Sequence, residues 1–125
     1  MIDISQIGAH ALAYLGDSVL ETMIREALIL KGIEKSSHLN KESLNYVTAV
    51  NQSKAYLSIE NILTEEEKAV FKRGRNSSHL NIPKSASPIE YKNATGFEAV
   101  FGYLKLQKND SRIMELFSLA YPDLN

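Results

Sequence analysis

The chain has no cysteine and no tryptophan, only three histidines, and only three prolines and six glycines in 125 residues. Without cysteine there can be no disulfide, thiolate nucleophile or thiolate-bound zinc, and a reducing, cytoplasmic setting is expected. His10, His38 and His79 are too scattered for a metal-ligand spacing, so they read as structural or surface side chains. No apolar run approaches the roughly 20 residues of a membrane span, and the N-terminus does not resemble a signal peptide. A net charge of −1 excludes a uniformly basic nucleic-acid binder. It leaves room for a local patch, and one is present. From Lys68 to Ile89 there are five Lys or Arg (Lys68, Lys72, Arg73, Arg75, Lys84) and no acid.

What the chain does contain is apolar residues at helical spacing. Hydrophobic residues make up 44% and charged residues 23%, a composition fit for a globular fold with a real core. No alternating stretch argues for strands. The expectation is an all-α, single compact domain over residues 1–125, with six or seven helices. A short helix is predicted over Ser5–Tyr14, with a break at Gly16 and a longer helix opened by Asp17 and ending near Leu30. A third starts at Ser36 or Ser37 and bends near Asn51–Ser53. Thr64-Glu65-Glu66-Glu67 reads as a capping box, with Lys72 and Arg73 in that helix's last turn and Gly74 just beyond. Arg75 to Ser87 is predicted as an exposed loop. Ser87-Pro88 restarts a helix to about Lys108, and Asn109-Asp110 caps a last one, ended by Pro122.

Two carboxylates sit in apolar surroundings: Asp17 in Tyr14-Leu15-Gly16-Asp17-Ser18-Val19-Leu20-Glu21, and Glu98 in Ala94-Thr95-Gly96-Phe97-Glu98-Ala99-Val100-Phe101-Gly102. An ionised carboxylate on such a face is costly unless it is paired or holds a metal. Two of them on separate helices suggest a hard-cation site made of oxygen ligands. Each also has a plainer reading: Asp17 as a helix cap, Glu98 as a partner of a Lys or Arg, and Glu21, four residues after Asp17, as a surface acid. The cluster Lys72-Arg73-Gly74-Arg75-Asn76, with Lys84 further on, reads either as a helix end complemented by cations or as a phosphate clamp. No aromatic residue interleaves with it, so contact through phosphates and duplex shape fits better than base stacking.

Ala13-Tyr14-Leu15-Gly16-Asp17-Ser18-Val19-Leu20 resembles the E-F-L-G-D-[AS]-V-L motif of the ribonuclease III catalytic domain. Phe97-Glu98-Ala99-Val100-Phe101-Gly102 resembles that family's V-E-A-L-I-G motif. The order and separation match, no double-stranded-RNA-binding domain follows, and the basic segment lies between the motifs. These features resemble the mini-ribonuclease III branch. The chain departs from full-length members at Ala13 and His10, where they carry Glu, and at Thr95, where they carry another acid. The resemblance implies a Mg²⁺-dependent endoribonuclease acting on double-stranded RNA, in the maturation of the 23S ribosomal RNA precursor. It implies a homodimer, Asp17 and Glu98 as catalytic metal ligands, and Lys72, Arg73, Arg75, Asn76 and Lys84 as the RNA-binding residues. A non-catalytic RNA-binding module that keeps this fold is the alternative, and a helical protein-interaction domain would leave the basic segment unexplained.

Overall fold

The computed structural model of the chain describes residues 3–77 and 85–125. Among these, six α-helices carry the fold: α1 (Ala9–Leu30), α2 (Ser36–Val47), α3 (Ala49–Ile59), α4 (Glu65–Ser77), α5 (Pro88–Leu106) and α6 (Asp110–Ala120). The described residues contain no strand, as the helical periodicity predicted. α5 is the centre of the assembly and packs against α1, α3, α4 and α6. Its buried residues run almost all round the helix: Ala94 to Phe97, Ala99 to Gly102, and Leu104. A helix apolar on every side belongs inside a protein, and Glu98 is the one carboxylate within that stretch. Leu12, Leu20 and Ile24 of α1, Ile59 of α3 and Leu116 of α6 complete the fully buried layer around Phe97 and Phe101.

The cap signals in the sequence hold. Thr64 Oγ1 accepts from the Glu67 amide at 3.1 Å while the Glu67 carboxylate accepts from the Thr64 amide at 2.8 Å. Ser87 and Glu90 form the same reciprocal pair ahead of α5, with Pro88 at its first position. Asn109 caps α6 by accepting from the Arg112 amide.

Three boundaries differ from expectation, each for a tertiary reason. α1 does not break at Gly16 but runs on as 22 residues from Ala9, after a 3₁₀ turn at Ile4–Gln6. Gly16 is there for a helix crossing, because a methyl group on it would overlap the Glu98 carbonyl of α5. Gly102 answers from the other side, where a methyl would overlap the Leu12 carbonyl. The bend foreseen near Asn51–Ser53 lies instead at Thr48, which ends α2 and caps α3 by accepting from the Asn51 amide. Gly74 does not terminate α4. It is buried within the helix, and an added Cβ would lie 2.9 Å from the Cα of Gly96. The polar loop therefore cannot begin at Arg75, since Arg75, Asn76 and Ser77 are still helical.

One buried ion pair ties the start of α4 to α6. Glu67, 3% exposed, accepts from Arg112 at 2.9 and 2.8 Å in a forked pair. The same guanidinium donates to the Ile62 carbonyl and to Glu115. Burial by itself would raise the Glu67 pKa, but Arg112 and the Thr64 amide outweigh it and hold the carboxyl below its ordinary value. Removing one member of such a pair leaves an uncompensated buried charge, at a cost of about 3–5 kcal/mol. Arg112→Met should therefore lower the melting temperature by on the order of 10 °C at neutral pH. A carboxylate with a depressed folded pKa stabilises above its ordinary pKa and loses that contribution as the pH falls. The gap between variant and wild type should accordingly narrow below about pH 4, as thermal denaturation across pH would reveal.

Candidate active site

Asp17 and Glu98 are brought together by the crossing of α1 and α5. Asp17 follows Gly16 directly, and Glu98 lies one turn before Gly102, so the near-contact of the two backbones sets the acids side by side. Asp17 is exposed in mid-helix and is not the helix cap that its sequence context allowed. Glu98 is largely buried, and among the described residues the groups that bear on it are the Asp17 and Glu21 carboxylates and the Gln52 side chain, none of them a Lys or Arg. Burial, the Asp17 charge and the hydrogen bond to Asp17 push the Glu98 pKa up to about 8, with a smaller contribution from the Glu21 charge and opposition from Gln52. Two like charges this close cannot both ionise freely, which is why Glu98 is held above the ordinary carboxylate range.

Around the pair, Glu21 stands one turn beyond Asp17, its carboxylate 3.3 Å from Arg25. The buried Tyr121 hydroxyl donates to the Tyr46 carbonyl, and its pKa is raised by burial and then by the Glu98 charge. His10 is exposed on the first turn of α1. Ala13 and Thr95 are buried, and the Thr95 hydroxyl donates to the Tyr91 carbonyl one turn back.

The sequence reading did not single out Gln52. It lies on α3, 3% exposed, in the segment expected to bend. Its only signal was a polar residue at a core-facing position of a helix whose true start was not recognised.

The basic segment reaches the site's neighbourhood through a second glycine contact. Gly74 packs against Thr95, Gly96 and Ala99, within a turn of Glu98 along α5. Lys72, Arg73 and Asn76 are exposed, and Arg75 is half-buried. Arg73 donates to the Ile7 carbonyl, and the Arg75 guanidinium lies 6.0 Å from the centre of the Phe71 ring. Phe71 in turn stacks on Tyr56, with ring centres 3.9 Å apart. Two of these cations thus have protein partners as well as solvent-facing donors. Lys84 and His79 lie outside the described residues.

Residues 10–109 match the family model of the ribonuclease III domain. The chain is 42% identical over 120 residues to the mini-ribonuclease 3 of Streptococcus pneumoniae, covering 94% of both chains. It is 42% identical over 119 residues to that of Clostridium tetani, covering 94% of this chain and 79% of the relative. A crystal structure of a Fusobacterium nucleatum protein superposes with a TM-score of 0.88 at 33% identity, covering 98% of both chains. The fold is that of a ribonuclease III catalytic domain. The chain belongs to the ribonuclease III family, in its mini-ribonuclease III branch, and is an endoribonuclease, a phosphodiester hydrolase.

The raised pKa of Glu98 has a consequence for stability. A carboxyl whose pKa is near 4.5 unfolded and about 8 folded binds more protons in the folded state across that interval. Stability is then fully present at low pH and declines as the pH rises from about 4.5 to about 8. Metal-free protein should lose stability over this window, and Glu98→Gln should flatten the decline and raise the melting temperature at pH 8. Thermal melts in chelator at pH 5 and pH 8 check this; an unchanged slope in the variant would exclude the buried-acid account.

Proposed function

We propose that the protein cleaves double-stranded RNA with Mg²⁺ held by Asp17 and Glu98, and that the duplex is a precursor of ribosomal RNA, the 23S precursor by the family likeness. The observation that carries this reading is the pairing of the two acids in a site that penalises their combined charge. A divalent cation offsets both the repulsion and the burial. Among the described residues no group of three or more His, Cys, Asp or Glu is placed to hold a metal. Asp17 and Glu98 would hold the ion through carboxylate oxygens, a donor type that fits Mg²⁺ better than zinc. When bound, such an ion supplies Lewis-acid polarisation of the phosphodiester and activation of a water for in-line attack.

The chain's own residues do the rest. Asp17 is exposed to the solvent from which RNA arrives, while Glu98 is less exposed, on the central helix. Lys72, Arg73, Arg75, Asn76 and Lys84 are the proposed duplex-backbone contacts. The Phe71–Tyr56 stack braces Arg75, which limits the rotamer freedom lost on binding. Contacts of this kind give affinity without sequence information and weaken steeply with salt. Among the described residues no helix is long and apolar enough to cross a membrane, and a cytoplasmic location suits a substrate of this class.

One labelled-duplex assay tests both halves of this reading. Asp17→Asn should lower cleavage by orders of magnitude while RNA binding persists. Arg75→Ala should weaken binding across all duplex sequences and flatten the salt dependence by about one phosphate contact. Cleavage by Asp17→Asn at the wild-type rate would exclude the metal site. Unchanged low-salt binding by Arg75→Ala would leave the segment as a braced helix end.

We further propose a homodimer joined near α1. Val19 and Met23 are half-buried and line a groove with Leu15 of α1 and Ile113 and Met114 of α6. An adjoining groove carries Met23, Leu30 and Met114, with Leu30 80% and Met114 57% exposed. Tyr14, 84% exposed, is the other apolar side chain beside the first motif. A contiguous apolar face of this kind marks an association surface, and two-fold pairing would offer two sites to antiparallel strands. Light scattering at micromolar concentration should give twice the 14.0 kDa chain mass. Met114→Glu should return it to the monomer value.

A further inference from the structure

We propose that Gln52 is a positioning residue of the active site: from α3 its buried side-chain amide holds the Glu98 carboxylate in the orientation in which, with Asp17, it takes the divalent cation. The inference rests on the reading of Asp17 and Glu98 as the metal site.

Three observations support it. Gln52 is 3% exposed, and burying an amide is costly unless it is hydrogen-bonded, so an apolar residue of the same length would pack there more cheaply. Its side chain meets Glu98 across the packing of α3 on α5. The neighbouring residue keys the helix in rotation. Ser53 is also buried, 5% exposed, and accepts from the Asn93 side-chain amide of α5 at 3.2 Å. This α3–α5 bond lies little more than one turn from Glu98, flanked by the apolar contacts of Ala55 and Ile59. α3 thus meets α5 in one rotational setting, and that setting aims Gln52 at the acid.

The chemistry of the side chain suits the task. A neutral amide donor steadies a carboxylate without bringing a positive charge that would compete with the metal. Lys or Arg at this place would pair with Glu98 and occupy the cation's position. Groups that orient metal ligands in this way typically affect metal affinity or activity by about 10–100-fold.

The test measures Mn²⁺ binding to the RNA-free full chain by electron paramagnetic resonance, alongside duplex cleavage titrated with Mg²⁺. Wild type should bind Mn²⁺, and Asp17→Asn should not. Gln52→Met keeps the length of the side chain and removes the donor. It should melt near the wild-type temperature, bind Mn²⁺ about 10–100-fold more weakly, and need correspondingly more Mg²⁺ for half-maximal cleavage. At saturating Mg²⁺ its kcat should return to within several-fold of wild type. Gln52→Asn, with the amide kept on a shorter arm, should fall between the two, and it carries the same comparison if the Met variant does not fold. A folded Gln52 variant with wild-type Mn²⁺ affinity, whatever its melting temperature or kcat, overturns the positioning role and leaves the metal site standing. Wild type that shows no Asp17-dependent Mn²⁺ binding overturns the metal site itself, and the role of Gln52 with it.

Discussion

The backbones of α1 and α5 touch at Gly16 and Gly102, and the positions of both acids follow from that contact. Each glycine removes the one atom that would collide with the facing chain: Gly16 against the Glu98 carbonyl, Gly102 against that of Leu12. Helix axes normally stand 8–10 Å apart, at a distance set by the side chains between them. With no Cβ at the crossing, they approach closely enough for short carboxylate arms on neighbouring turns to meet. A second glycine pair, Gly74 with Gly96, draws α4 against the same stretch of α5. The two acids and the basic segment are therefore organised by residues that contribute no functional group.

Such an arrangement concentrates unfavourable electrostatics at the proposed site. Glu98 sits in the central helix among Phe97, Ala99 and Phe101, and its nearest charged neighbour is another acid. By contrast, Glu67, 3% exposed, is grasped by Arg112 on a forked pair of bonds. The two carboxylates mark opposite uses of burial. One is neutralised inside the chain and fastens α4 to α6. The other is left short of positive charge, a condition that a divalent cation relieves, and strongly shifted acids of this kind gather at functional sites.

How much of this was legible in the sequence depended on the range over which each signal acts. The capping box at Thr64–Glu67, the helix start at Ser87-Pro88 and the Asn109 cap were readable because their signals lie within three residues of one another. The helical class was readable from apolar spacing, and Asp17 and Glu98 stood out because acids are rare on apolar faces. The glycines misled. Gly16 and Gly74 carry the local signature of a helix break or end, and in isolation each would weaken its helix. Packing against α5 overrode that tendency, since the close crossings gain more than the glycines cost. Thr48, with its side chain capping the Asn51 amide, displaced the expected bend by several residues and turned Gln52 and Ser53 inward.

The sequence by itself determined the helices, most of their ends, the two acids and the basic run between them, because these rest on contacts within one or two turns. Only the tertiary structure decided that Asp17 and Glu98 share a hydrogen bond, that Gln52 meets them, and that Arg73 and Arg75 have protein partners as well as solvent. Those facts depend on which faces of α1, α3, α4 and α5 are pressed together. That choice is made by shape complementarity among small residues far apart in the chain, for which no local pattern of residues is a record.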